Sequence, residues 1–385
     1  MRGLNMRFII PIVLSFAGHA AADCECGYSS SIGGSVEPYI FTDLIESDFL
    51  HIPNITLDTD WKRQQFNMSA AAGRGPYGMN YSVEQVTSNP ILNENSWSGD
   101  GEFGVDPGVQ LTVSGGDPAN GFVQTAEIDS AREDLLWGTY RAAMKLTLTP
   151  GTCAAFFWYF NDSQEIDMEF LSSQFNVDNN TFPVNLVLQS VQSVQAGYNA
   201  AGTGNYVVAN LPFNPTIGYH EYRIDFIPGN VIFYADGQIL AKMNSTAVPT
   251  SPGHMIITQW SNGNPLWSSG PPSHDAVIAV SYVKAYFNSS DPMREIGLTK
   301  RCQDPRAENA ICAIPDQTSA PNPDGNNGNV SASTYFFSNQ KNETNNQTVY
   351  KKSEATTAAT AGPHGSISLF LLLCMIASSC YESPF

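Results

Sequence analysis

Short bursts of alternation run along the chain. Tyr222-Arg223-Ile224-Asp225-Phe226-Ile227 sets polar against apolar residues at a period of two, as a strand with one buried face does. Pro228-Gly229-Asn230 turns the chain, Val231-Ile232-Phe233-Tyr234-Ala235 brings it back, and Asp236-Gly237 ends the run, which predicts a β-hairpin. Residues 184–189, 255–260 and 276–286 are rich in β-branched and aromatic side chains and predict further strands. No long helical period and no internal repeat competes with them. Many short strands separated by Gly, Pro and Asn predict an all-β sandwich or jelly roll.

Both ends depart from this pattern. Arg2 and Arg7 flank the apolar stretch 8–17, and Ala20-Ala21-Ala22 offers a small-residue cleavage pattern before Asp23. Residues 1–22 therefore read as a secretory signal peptide. The apolar stretch 367–377 is short of the ~20 residues a spanning helix needs. Small residues at 356–362 and a short spacer precede it, the layout of a GPI-anchor signal, although polar Tyr381, Glu382 and Ser383 close the chain. Residues 362–385 are expected to leave as a propeptide. Residues 316–361 are rich in Asn, Ser, Thr, Gln, Gly and Ala, with one aromatic cluster, Tyr335-Phe336-Phe337. Such a segment buries too little apolar surface to fold, so it is expected to form a glycosylated stalk. Residues 23–315 remain as one β domain.

Charge narrows the choice of partner. Only 14% of the 385 residues are charged, and 18 basic face 36 acidic side chains. This excess argues against nucleic acid or an anionic membrane bound through a basic surface, and sets no penalty on a neutral polysaccharide. N-x-S/T sequons at Asn54, Asn67, Asn80, Asn161, Asn179, Asn244 and Asn288 in the domain, and at Asn329, Asn342 and Asn346 in the stalk, mark glycosylation sites if the chain is secreted. Of seven cysteines, Cys374 and Cys380 would leave with the tail. Cys24, Cys26, Cys153, Cys302 and Cys312 fit no zinc spacing, and no metal site is expected. Cys302 and Cys312 are expected to close a short disulfide loop. Cys24 and Cys26 are too near each other to pair easily, so one reaches elsewhere. An odd count leaves a thiol over, and Cys153, beside an apolar strand, is the candidate for a plain buried thiol.

The chemistry gathers in one hairpin. Residues 154–160 are apolar, Asn161-Asp162-Ser163-Gln164 turns, and Glu165-Ile166-Asp167-Met168-Glu169-Phe170 follows. Alternation places Glu165, Asp167 and Glu169 on one face and Ile166, Met168 and Phe170 on the core face. Three carboxylates in a row repel one another and cost stability unless they have a use. Retaining glycoside hydrolysis supplies one, needing two carboxyl groups ~5–5.5 Å apart. The Cα atoms of Glu165 and Glu169 lie ~13 Å apart on an extended strand, so their side chains must lean inward on a concave sheet. Asp167 between them can hold a proton and split their pKa values. The plain alternative is an exposed strand face that happens to be acidic.

Followed by His220-Glu221-Tyr222-Arg223-Ile224-Asp225-Phe226 and Val231 to Gly237, the E-I-D-x-E-F motif resembles glycoside hydrolase family 16, over about residues 130–290. The resemblance, to the fungal GPI-anchored type, implies a concanavalin A-like β-jelly roll with a concave cleft, and retaining cleavage or transfer of β-glucans. It implies Glu165 as nucleophile, Asp167 as assisting acid and Glu169 as general acid/base. The single residue between Asp167 and Glu169 resembles the unbulged branch of the family. Trp260 and Trp267 stand in a segment similar to the family's tryptophan-bearing cleft wall. Asn185 and Gln189 share strand parity and fall where the family places polar sugar contacts. Trp158 is expected as a further platform, although it and Tyr159 face opposite ways and only one can line the cleft. Trp61 and Trp97 are undecided, and His220 reads as structural. Some relatives hold a structural calcium, but nothing in this sequence demands a cofactor. The expected protein is a monomer at the cell surface or wall, bound to the membrane by a GPI lipid and acting on β-glucan. Hydrolysis is the expected base activity, wall transglycosylation the alternative, and a non-catalytic carbohydrate-binding protein the competing class.

Overall fold

The alternating segments form the expected strands, as a computed structural model covering residues 24–97, 99–315, 336–337 and 348–349 shows. His220–Ile227 and Asn230–Ala235 pair as the predicted antiparallel hairpin, with Ile227 opposite Asn230. Asp236 and Gly237 carry φ of 46° and 74° in the next turn, a pair of left-handed positions that suits a two-residue hairpin. Pro183–Gln189, His254–Trp260 and Ala276–Ser289 contain the other three predicted strands.

Two nine-stranded sheets, among the described residues, stack face to face as a jelly-roll sandwich. The first, the cleft sheet, runs in the order Tyr206–Asn210, Pro183–Gln189, Gln164–Leu171, Cys153–Asn161, His254–Trp260, Phe122–Ser130, Gly78–Tyr81, Phe66–Met68, with Trp61–Arg63 also on Phe122–Ser130. The second has Leu135–Lys145 at its centre, between His220–Ile227 and Ala276–Ser289. Alternate residues from both meet in one core: Phe156, Trp158, Ile166, Met168 and Phe170 from the first, Tyr140, Tyr222, Ile224, Phe226 and Phe287 from the second. The expectation that Ile166, Met168 and Phe170 face inward holds, and parity then turns the three acids outward.

The outer face of the second sheet is covered. A three-stranded sheet of Gly27–Ser30, Tyr39–Phe41 and Ile311–Ala313 packs Tyr28, Ile32 and Phe41 on Leu44, Ile232 and Tyr286. Two disulfides hold this cover, and they differ from the expected pairing. Cys302 and Cys312 do not join each other: Cys24 bonds Cys312 and Cys26 bonds Cys302. The cause is a long-range parallel pairing that sets Tyr28 opposite Cys312, bringing the start of the domain beside its end. Cys153 is free and buried.

Two residues of the expected stalk complete the cover. Phe337 lies 5.2 Å from the Tyr28 ring, its backbone N–H donating to Glu46 at 3.2 Å, and Phe336 packs on Tyr282 and Trp97. Thr348–Val349 pairs in parallel with Asp43–Asp48. The signal peptide at 1–22, the tail at 362–385 and the three stalk sequons lie outside the described residues.

Candidate active site

The three acids stand on the floor of an open cleft of about 1020 Å³ on the outer face of the cleft sheet. Their strand pairs antiparallel with Cys153–Asn161, Glu165 opposite Tyr159 and Glu169 opposite Ala155. Burial raises the pKa of all three carboxyl groups, and Asp167 is raised well above the usual range, pushed further by Glu165 and Glu169. Asp167 shares a hydrogen bond with Glu165 that favours the proton on Asp167 and the charge on Glu165. Glu169 sits differently: its Oε1 accepts from the Trp267 indole at 3.1 Å and lies 3.5 Å from the Cys153 thiol. Both bonds support its charged form. Burial pushes the Cys153 thiol far up, so it stays protonated and donates. The row thus sets a proton shared between Asp167 and Glu165 apart from Glu169, whose charged form is favoured by two donors of its own.

The other expected site residues divide. Trp260, Trp267 and Gln189 line the cleft. Asn185 is fully buried beneath it, accepting from the Tyr206 hydroxyl at 2.7 Å and reaching Gln174 at 3.4 Å, so it supports Tyr206 and does not line the cavity. Trp158 is a correction. It is fully buried against Phe226, ring centroids 4.9 Å apart, and its indole donates to the Leu135 carbonyl at 3.2 Å. Tyr159 lines the cleft in its place. The reason is a one-residue bulge at Phe160. Asn161 pairs with Gln164, but the register then shifts to Tyr159 opposite Glu165, exchanging the faces of the whole strand. Trp61 points inward to Ser47, Trp97 lies by Phe336, and neither lines the cleft. His220 is held by Asp236 at 2.7 Å and stacked on Phe213.

Four cleft features escaped the sequence reading. Tyr206 and Tyr198 line one wall and Arg74 reaches in from another. Three strands from the acid row, Glu127 and Asp129 form a second acidic pair on the same floor. Burial pushes the Asp129 carboxyl to about 7 and Glu127 well above its usual range. A signal for this pair was present: Glu127-Ile128-Asp129 repeats the tripeptide Glu165-Ile166-Asp167, with the isoleucine inward in both. Of the domain sequons, Asn54, Asn67, Asn179 and Asn244 are exposed, while Asn80, Asn161 and Asn288 are half-buried.

Comparison with known proteins gives one answer for the class. Residues 93–275 match the family of glycosyl hydrolases family 16. A beta-glucanase of Paenibacillus polymyxa is 28% identical over 157 residues, which are 39% of this chain and 58% of that protein. Crh-like protein 3 of Botryotinia fuckeliana is 25% identical over 146 residues, 34% of this chain and 29% of that protein. A solved structure of a Bacillus licheniformis beta-glucanase is 17% identical, covers 63% of this chain and 98% of its own, and superposes with a TM-score of 0.47. The chain therefore spans less than two thirds of the length of these two curated relatives. The matched segment, which is similar to glycosyl hydrolases family 16, contains all three carboxylates and both cleft tryptophans.

Proposed function

We propose that the protein is a retaining β-glucan hydrolase of the endo type, cutting β-1,3 or mixed 1,3/1,4 linkages. The observation that carries this is the acid row itself: three neighbouring carboxyl groups on a cleft floor, in environments that differ enough to separate their protons. Glu165 attacks the anomeric carbon while Glu169 gives its proton to the departing oxygen. A glycosyl ester on Glu165 results. Glu169, now a base, takes a proton from water, which attacks the ester and frees Glu165. Asp167 holds a proton beside Glu165 throughout.

Release of reducing ends from laminarin, lichenan and barley glucan tests the reading, and binding without turnover would replace it with a carbohydrate-binding protein. Azide separates the two roles. It should rescue a Glu165→Ala variant to give the inverted α-glycosyl azide, and a Glu169→Ala variant to give the β product; the reverse pattern exchanges them.

Trp267 favours a second reading, transfer to a sugar hydroxyl. Its indole sits on Glu169, where an acceptor sugar would ride, with Tyr206 at 6.5 Å. Feeding a fluorescent oligosaccharide with the glucan decides: labelled polymer that outpaces new reducing ends means transfer.

Secretion is supported by the two disulfides, which persist in oxidising compartments, and by the exposed sequons. A GPI lipid would then hold the domain on the outer membrane surface or wall, as a monomer. Phosphatidylinositol-specific phospholipase should release it, and a mature chain still containing Leu371 to Leu373 by mass spectrometry overturns the anchor.

A further inference from the structure

Arg74 and Tyr198 stand on opposite walls of the cleft, and both hold left-handed backbone, with φ of 58° and 65°. Large side chains adopt this conformation only where their surroundings impose it, and such positions gather at functional sites. Arg74 closes the short helix Ala70–Gly73, its N–H bonded to the Ala70 and Ala71 carbonyls. Asn262 and Asn264, from the segment between Trp260 and Trp267, donate to the Gly73 and Arg74 carbonyls. A Cβ on Gly75 would meet the Asn262 carbonyl oxygen at 2.4 Å, so this loop is bolted to that wall. Tyr198 follows Gly197 on the other wall, and its hydroxyl donates to Asp162 in the turn that precedes the acid strand. The Tyr159 hydroxyl donates to the other oxygen of Asp162 at 2.8 Å.

The two side chains meet over the cleft. The Arg74 guanidinium lies 4.1 Å from the centre of the Tyr198 ring. Glu165 and Glu169 both feel its charge. The link therefore runs from the Asn262–Asn264 wall through Arg74, Tyr198 and Asp162 to the floor at Tyr159. Arg74 and Asp162 are exposed, and an exposed cation–π contact is weak enough to open and reform.

We propose that Arg74 and Tyr198 form a strap across the cleft that selects substrates by how they enter. A short oligosaccharide or a chain end slides beneath the strap. The interior of a long glucan reaches the carboxylates only after the contact has opened. This rests on the reading of the cleft as a β-glucan site.

The test compares kcat/KM on polymeric β-glucan with that on a short oligosaccharide of the same linkage. Arg74→Lys keeps the charge near the acids and loses the flat stacking surface. It should lower KM for the polymer by about threefold relative to that for the oligosaccharide, the size of one exposed cation–π contact. Tyr198→Ala should move the same ratio the same way, and Tyr198→Phe, which keeps the ring, should move it less. Equal changes on both substrates, or none on either, would overturn the strap. If the unaltered protein turns over no glucan, the hydrolase reading falls. The strap is then judged by calorimetry: Arg74→Lys must raise affinity for polymer over oligosaccharide, and an unchanged ratio refutes it.

Discussion

Three acids and three bases lie on the face turned away from the cleft: Glu46, Glu221 and Asp225 beside Arg141, Arg223 and Lys284, all almost fully buried. Arg223 grips Asp225 through two bonds of 2.6 Å, and the Tyr286 and Tyr282 hydroxyls donate to Glu46 and Glu221 at 2.6 Å. On the cleft face Asp129, Glu127, Asp162, Glu165, Asp167 and Glu169 face mainly Arg74 and His254. Both faces belong to sheets of the same construction and both alternate polar residues outward. The difference is balance. Charges that neutralise one another and fill one another's hydrogen bonds can be sealed from water, whereas acids in excess must keep protons or stay near solvent. The back of the sandwich is therefore a packed layer, and the front is an acidic cleft floor.

The largest effect should come from unfastening the cover. Each disulfide alone closes a loop of nearly the whole domain, with sequence separations of 288 and 276. With one in place the other closes only the short segments 24–26 and 302–312. Chain entropy then gives about 3 kcal/mol for losing either and about 8 for losing both, as an upper limit. Melts of Cys26→Ser, Cys24→Ser and the double variant would show this excess; simple addition would mean that the cover holds without them.

On the cleft face the expected loss is in rate. Glu165→Gln and Glu169→Gln should each cut turnover by about 10³-fold and Asp167→Asn by less, while the two Gln variants melt at or above the unaltered protein, since each removes a buried acid from a like-charged row. Equal, small losses in all three would break the assignment. The back face should behave oppositely. Glu221→Ala leaves Arg141 and Lys284 with less opposing charge and should cost about 3 kcal/mol of stability with kcat unchanged per folded molecule. A change in kcat without a fall in melting temperature would remove the distinction between the faces.

Smaller effects concern pH. The Asp129 carboxyl is raised from 3.8 to about 7, so the folded protein holds a proton that the unfolded chain has released. Its contribution is whole below pH 4 and is lost as pH rises through 7. Asp129→Asn should flatten that fall in denaturant titrations, by on the order of 1 kcal/mol. Trp267→Phe removes the indole bond that favours charged Glu169, so the pKa rises and the acid stays protonated longer. The alkaline limb of kcat/KM should move upward; a downward move would mean that the bond favours the protonated acid.

What the sequence disclosed, and what it hid, follows the range of the interaction. The parity of Glu165, Asp167 and Glu169 was legible because a period of two is local, and the inward Ile166 and Met168 agree with it. Trp158 was misplaced because one extra residue, Phe160, changes the register without changing the pattern of residue types. Cysteine partners depended on a parallel pairing between residues 27–29 and 311–313, which no neighbouring residue announces. Arg223 and Asp225 alternate with the core-facing Tyr222, Ile224 and Phe226, as the pattern predicts, yet are sealed by segments far away in sequence. Asn185 had the parity of a sugar contact, but Tyr206 covers it.

The two cystine bridges also set how the molecule would carry a load. They fasten residue 24 to residue 312 and residue 26 to residue 302. Tension applied between residues 24 and 312 crosses those covalent links within the small cover sheet. The sandwich hangs from the clasp as a closed loop off the line of force, so a pull strong enough to unravel an ordinary β domain would leave the cleft geometry at rest.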